Sequence, residues 1–142
     1  MNITKALKQK NKLVSKTNEY ISHVSAYNSI QEGTTRPYDA REALEKAMAS
    51  VDELVALKTA IHKANSKVYD KIFKLAELKS LVSKLKSLDC KEGMHQSYRM
   101  DAPVKYTTQI SIVEKDQWIE KLESQIEMLQ EELEAHNAKT KI

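Results

Sequence analysis

The sequence contains little of several residue types, and each scarcity excludes a class of structure. Glycine occurs twice and proline twice in 142 residues, too few for the turns of β-sandwiches and barrels or for glycine-rich nucleotide-binding loops. The single cysteine, Cys90, excludes an internal disulfide framework and a zinc site of the Cys/His type. No window approaches about 18 uninterrupted apolar residues, and charges occupy the start, where a secretory leader would be apolar. We therefore expect a cytoplasmic protein without membrane contact, in the host cytoplasm if a phage encodes it.

What the sequence does contain is typical of helical bundles and coiled coils. Charged residues make up 30% of the chain and the wider apolar set 41%. The length corresponds to one domain, 1–142. The composition predicts a mainly α fold of three to four long helices, with one small β-hairpin or a strand pair between subunits.

Two clusters of glycine and proline divide the chain into long helical pieces. Asn2 suits the N-cap of the first helix, and Asp39, three residues before Glu42, begins a second one in the manner of a capping box. A helix unbroken from Asp39 to the next glycine would be about 75 Å long, so we expect a break near Asn65 and Ser66. The predicted elements are a helix 3–29, a loop 30–38, helices 39–89, a loop and β segment 93–113, and a helix 115–138.

Residues 104–112 alternate apolar and polar side chains and are rich in β-branched residues, which predicts a strand. Because a lone strand leaves its backbone donors and acceptors unpaired, it needs a partner. We expect pairing either with residues 95–100, through a turn at 101–103, or with another subunit.

The last predicted helix carries apolar residues at the a/d spacing of a coiled coil. They are Ile119, Leu122, Ile126, Leu129 and Leu133, and His136 continues the pattern. Residues 1–33 contain five lysines and two glutamates, whereas 113–135 contain eight acids and two lysines. The two segments therefore attract each other, within one bundle or across an interface. We predict a homo-oligomer formed through helix seams and the strand.

Polar residues are unusually concentrated in the loop between the first two helices. A structural interpretation has Asn28 and Gln31 satisfying the last carbonyls of the first helix while Gly33 adopts positive φ. A functional interpretation makes the loop one half of a pocket between subunits, and the β segment supplies the other half. Arginine offers a planar fork to phosphate, and tyrosine offers a stacking face. The candidate ligand-binding residues are Asn28, Gln31, Arg36, Tyr38, Arg41, Asn65, Tyr98, Arg99, Lys105 and Tyr106.

Asn65 has two interpretations, a ligand contact or a polar residue at a helix break, and the second is favoured. No pattern typical of a metal site, a P-loop or an acyl-transfer site is present, so we expect no enzyme, no cofactor and no metal. Three dispersed arginines are too few for a protein that binds a nucleic-acid polymer.

Several short stretches resemble the septicolysin-like family of uncharacterised bacterial proteins. They are Asn28–Gly33, Ile61 with Asn65, Lys105-Tyr106-Thr107 with Ile110, and Asn137 with Thr140, and their order and spacing fit nearly the whole chain. The sequence departs from the family in lacking a Trp beside the C-terminal Asn and in a shorter 87–103 connection. The resemblance implies a helical protein with a small β element and no accepted enzymatic activity.

The layout of long helices and one hairpin is also similar to that of the phage Thoeris anti-defence sponges, without a shared motif. Our hypothesis is a non-enzymatic homo-oligomer that sequesters a small anionic, nucleotide-like ligand in a pocket between subunits. The alternative is a coiled-coil structural or protein-interaction module with no small-molecule ligand.

Overall fold

The computed structural model describes residues 1–99 and 101–142. These residues form four helices and one two-stranded antiparallel sheet, which confirms the predicted mainly α fold with a small β-hairpin. In chain order the elements are α1 (Ile3–Tyr27), α2 (Ala40–Ala64), α3 (Tyr69–Lys86), β1 (Gly93–His95), β2 (Val104–Tyr106) and α4 (Ile112–Lys139). Two compact units are present, one made of Met1–Val68 with Glu134–Ile142, the other of Tyr69–Leu133. The assignment of 1–142 to one domain stays a prediction.

Both predicted helix starts are capped as the sequence indicates. The Asn2 side chain accepts a hydrogen bond from the Lys5 N–H at 2.9 Å, and Asp39 Oδ1 accepts from the Glu42 N–H at 2.9 Å. Each cap satisfies one of the backbone donors that a helix leaves unpaired in its first turn. α1 ends at Tyr27, two residues before the predicted boundary.

The first unit is built on an antiparallel pair, α1 and α2, packed through unusually small side chains. The buried residues of the first half of α2 are Ala40, Ala43, Ala47 and Ser50. Because alanine and serine extend little beyond the backbone, this face lets α1 approach closely. Farther along α2, Ile61 is buried against Ile3 and Ala6.

The C-terminal residues complete the core of this unit. Ile142 packs against the cluster of Ile3, Ala6 and Ile61. The Ile142 N–H donates to Met1 O at 3.0 Å, the Ile3 N–H donates to Thr140 O at 3.1 Å, and Asn2 Nδ2 donates to Ala138 O at 3.0 Å. The two ends of the described chain are therefore joined in one hydrogen-bonded bridge.

The predicted break between α2 and α3 is confirmed. α2 ends at Ala64, and the Asn65 N–H donates to Ile61 O at 3.0 Å. The Val68 N–H then donates to Asn65 O at 2.9 Å, which closes a turn before α3 begins at Tyr69. The expected helical range 39–89 is thus two helices, and the second ends at Lys86.

In the second unit, two ion pairs link α3 to α4, Lys71 with Glu132 at 2.8 Å and Lys86 with Glu123 at 3.3 Å. Lys115 Nζ donates to Lys86 O at 3.0 Å and to Leu88 O at 3.1 Å. A lysine at this place satisfies carbonyls that the end of α3 leaves unpaired.

The β segment differs from the prediction in its extent and its partner. β2 stops at Tyr106, and it pairs with β1 in the register Gly93↔Tyr106, Met94↔Lys105 and His95↔Val104. The expected partner 95–100 therefore overlaps the observed strand only at His95, and Met100 lies outside the described residues. Of the two alternatives, a hairpin within the chain is the one observed.

Residues 107–112 are not a strand because a helix cap redirects the chain. Ser111 Oγ accepts from the Glu114 N–H at 3.2 Å, and Ser111 O accepts from the Lys115 N–H at 2.9 Å. The sequence from Ser111 to Glu114 is a capping-box pattern that the alternation of residues 104–112 concealed. α4 consequently begins at Ile112 rather than at 115. In the described part of the chain, no helix is long and apolar enough to cross a membrane.

The tight α1–α2 contact predicts that the same substitution at two alanines of α2 changes the stability of the protein unequally. Ala47 is 2% exposed and Ala49 is exposed on the same helix. We expect Ala47→Leu to lower the free energy of unfolding by about 1–3 kcal/mol, because the larger side chain forces the helices apart. Ala49→Leu should change it by less than about 0.5 kcal/mol.

Urea unfolding followed by circular dichroism measures both variants. Equal effects at the two positions would contradict the close packing of α1 on α2.

Candidate functional site

The loop between α1 and α2 is organised by one arginine. Arg36 Nε donates to Tyr27 O at 2.8 Å, and Arg36 Nη2 donates to Asn28 O at 3.0 Å. Gly33 has φ of +86°, as the structural interpretation predicts. The carbonyls at the end of α1 are capped by the Arg36 guanidinium, however, and not by the side chains of Asn28 and Gln31, so that part of the prediction is wrong. Gln31 contributes its carbonyl, which accepts from the Thr34 N–H and hydroxyl.

Three of the predicted ligand-binding residues line one surface pocket. Asn28, Arg36 and Arg41 surround a space of about 270 Å³ together with Asp39 and Ala40. Ala40 and Arg41 are the first two residues of α2, and helix geometry leaves their N–H groups without an intrahelical acceptor. The pocket therefore combines two guanidinium groups with the positive end of a helix dipole. We call it the loop pocket.

Tyr38 lies beside this pocket and stacks on a residue that the sequence did not indicate. The ring of His23 is 3.8 Å from the Tyr38 ring, and the two planes are 13° apart. Both rings line a second space of about 200 Å³, together with Tyr20 and Lys46. His23 precedes Tyr27 by four residues, so their rings lie on one face of α1. That spacing is the one signal in the sequence that could have identified His23.

One ion pair lies in this second space. Lys46 Nζ is 3.0 Å from Glu42 Oε1. The hydrogen bond and the charge of Glu42 raise the pKa of Lys46 above its ordinary value. On the alkaline side of neutral, the pairing is lost as the pH rises through the raised pKa of Lys46.

Asn65 has a structural role in the first unit. Its Oδ1 is 3.1 Å from Nε2 of His136, and Nδ1 of the same ring is 3.2 Å from the Thr140 hydroxyl. Because Oδ1 only accepts, Nε2 carries the proton and Nδ1 accepts from Thr140 in the neutral ring. Asn65 therefore connects the end of α2 to the end of α4, which supports the favoured helix-break interpretation over a ligand contact.

The remaining four candidates belong to the second unit, and Tyr106 lines a pocket there. Its ring lies 5.0 Å from Lys91 Nζ and 5.9 Å from the His95 ring. The pocket measures about 330 Å³ and is bounded by Leu88, Asp89, Lys91 and residues 106–110. Lys91 was not predicted, since nothing in the sequence places it over Tyr106.

Tyr98, Arg99 and Lys105 are exposed. Tyr98 projects completely into solvent, and the Arg99 N–H makes a 3.4 Å contact with Ser97 Oγ. The structure thus brings together Asn28, Arg36 and Arg41 in the first unit. That residues of the β segment of another subunit join them stays a prediction.

Among residues 1–99 and 101–142, no group of three His, Cys, Asp or Glu side chains is arranged to hold a metal ion. Comparisons with protein-family models, curated proteins and solved structures find no match for this chain. The resemblance to the septicolysin-like family therefore stays a prediction.

The capping role of Arg36 can be separated from any role in binding. We expect Arg36→Ala to lower the free energy of unfolding by about 1–3 kcal/mol, because two charge-assisted hydrogen bonds to carbonyls are lost. Arg36→Lys should recover only part of the loss, since an ammonium lacks the planar fork.

The control is Arg99→Ala, because the Arg99 contact to Ser97 uses its backbone N–H. This variant should be neutral in the same urea titration. A stable Arg36→Ala variant would show that the guanidinium does not hold the end of α1.

Proposed function

We propose that this protein is a non-enzymatic binding protein that captures a small anionic, nucleotide-like ligand in the loop pocket. The observation that carries the proposal is the convergence of Arg36, Arg41 and the first N–H groups of α2 on one space. Sequestration of the ligand would be the biological effect, as in a sponge, since binding without chemistry only lowers the free concentration of a signal.

Arg41 is the principal anion-binding group of the proposal. Arg36 already donates from Nε and Nη2 to two carbonyls. Within the described residues, the exposed side chain of Arg41 makes no hydrogen bond and no ion pair. Its fork is therefore available to a phosphate or carboxylate without breaking an existing interaction.

Asp39 reduces the net positive charge of the loop pocket. Its carboxylate lines the loop pocket, and it is occupied as the N-cap acceptor of Glu42. The two guanidinium groups and the carboxylate leave a net charge of +1 at the site. One singly charged phosphodiester, such as that of a cyclic nucleotide, would neutralise it.

Tyr38 supports a ring-containing ligand. It follows Arg36 by two residues, is 50% exposed and is held in place by stacking on His23. A ring that is already oriented costs little conformational entropy when a base stacks on it. We also propose, as the sequence predicts, that Tyr98, Arg99, Lys105 and Tyr106 of a neighbouring subunit complete the pocket in a homo-oligomer.

Isothermal titration calorimetry with a cyclic nucleotide, a nucleoside monophosphate and inorganic phosphate tests the proposal. We expect Arg41→Gln to weaken binding at least about tenfold, which corresponds to the loss of about 1.4 kcal/mol. Lys58→Gln removes the same charge from an exposed position later in α2 and should bind like the wild type.

Absence of heat with all three probes would refute the ligand site and would favour the alternative, a helical protein-interaction module. An equal loss in both variants would mean that overall charge, and not the loop pocket, attracts the anion. Recovery of a chemically altered nucleotide after heat denaturation would indicate an enzyme instead.

A further inference from the structure

The space lined by Tyr20, His23 and Tyr38 adjoins the loop pocket, and we call it the aromatic pocket. Its volume is about 200 Å³, and that of the loop pocket is about 270 Å³. Asp39 lines both, so the two spaces meet at the start of α2. Ligand sites commonly measure about 300–1,000 Å³, a range that neither space reaches alone and that the two reach together. A nucleotide with its phosphate in the loop pocket therefore has room for its base in the aromatic pocket.

The aromatic pocket offers a base a ring that is already held in place. The rings of His23 and Tyr38 lie 3.8 Å apart with 13° between their planes, so each orients the other. Tyr38 is nonetheless 50% exposed, which leaves part of its ring to a ligand. Stacking on an aromatic side chain holds purines and pyrimidines alike, because every base has a π face. The rings therefore account for binding of a base, and a preference among bases has to come from polar groups.

The polar groups of the aromatic pocket are mainly acceptors. Three carboxylates line it, those of Glu19, Asp39 and Glu42. Asp39 Oδ1 accepts from the Glu42 N–H, and Glu42 Oε1 is 3.0 Å from Lys46 Nζ. Within the described residues, the exposed side chain of Glu19 makes no hydrogen bond and no ion pair. Both oxygens of the Glu19 carboxylate are therefore available to the N–H groups of a ligand.

Guanine is the base whose edge suits a free carboxylate. Its ring N–H and its amino group are neighbours on one edge, so they supply two donors to the two oxygens of one carboxylate. Adenine has an unprotonated ring nitrogen beside its amino group, and a carboxylate placed there meets a second acceptor. The carbonyl oxygen of guanine needs a donor in turn. Lys46 lines the same pocket and keeps N–H groups beside the one that faces Glu42.

Resting on the proposed function, we infer that the aromatic pocket binds the base of the ligand and that Glu19 selects guanine. The phosphate lies at Arg41 in the loop pocket, and the base lies against Tyr38. The Glu19 carboxylate accepts from the ring N–H and the amino group, while Lys46 donates to the carbonyl oxygen. A site built to hydrogen-bond an N–H group discriminates strongly against an analogue that lacks it, since its own polar groups are then left unpaired.

Isothermal titration calorimetry with cyclic GMP, cyclic IMP and cyclic AMP measures this preference. The wild type should bind cyclic GMP at least about tenfold more tightly than cyclic AMP. Cyclic IMP keeps the ring N–H and the carbonyl of guanine but lacks the amino group, so its affinity should lie between the other two.

Two glutamate variants assign the preference to one carboxylate. Glu19→Gln should weaken binding of cyclic GMP at least about tenfold without weakening that of cyclic AMP, because the amide replaces one of the two acceptors with a donor. Glu45→Gln removes the same charge from an exposed residue of α2 that lines neither pocket. It should bind all three nucleotides like the wild type.

A second pair of variants concerns the ring. Tyr38→Leu should weaken all three nucleotides at least about fivefold, because the stacking surface is lost. Phe73→Leu removes an exposed ring from α3 in the second unit and should weaken none of them. Circular dichroism should show unchanged helix content in each variant.

The outcomes separate this inference from the proposed function. Equal affinity for the three nucleotides, with all three weakened by Arg41→Gln, would overturn the guanine preference and leave the loop pocket as an anion site. Absence of heat with every nucleotide would overturn both. Equal losses of cyclic GMP binding in Glu19→Gln and Glu45→Gln would also overturn the inference, because overall charge would then explain them.

Discussion

The close contact between α1 and α2 is the constraint on which the first unit depends. Ala40, Ala43, Ala47 and Ser50 are the residues of α2 that α1 covers in this region. Small side chains allow the two backbones to approach, and the packing gained there favours them over the larger residues on the neighbouring stripe. As a consequence, Met48 and Val55 remain in solvent. The packing of the interior thus leaves large apolar side chains exposed on the neighbouring stripe.

The same contact positions the loop pocket. Because α1 and α2 are antiparallel and adjacent, the end of α1 and the beginning of α2 lie together. The loop therefore has to supply hydrogen-bond partners for the last carbonyls of α1 and for the first N–H groups of α2. Arg36 caps the carbonyl end of α1, while Asp39 caps the N–H end of α2. Arg41 extends from the first turn of α2 without a partner in the described chain. Two residues of this loop therefore cap the ends of the helices, and Arg41, in the first turn of α2, is the residue that we propose binds a ligand.

Local chemistry explains which sequence predictions succeed. Asn2 and Asp39 are caps because their side chains accept hydrogen bonds from N–H groups three residues away. Such an interaction involves the residues of only one helical turn. The break at Asn65 follows similarly from a polar residue in a run of helix formers. The strand prediction fails past Tyr106 because two local patterns overlap. The alternation continues to Ile112, but the Ser111 cap begins a helix there, and Gly93–His95 offers only three residues to pair with.

The sequence by itself determined the helices, the N-caps at Asn2 and Asp39 and the break at Asn65, since each depends on neighbours in the chain. It did not determine which stripe of α2 is buried, because periodicity marks both the alanine stripe and the Leu44–Val55 stripe as apolar. Only the approach of α1 selects between them. Tertiary structure likewise decided that Arg36 caps α1 and that Asn65 meets His136, 71 residues away. Such contacts depend on helices meeting in space, which no local pattern of residues encodes.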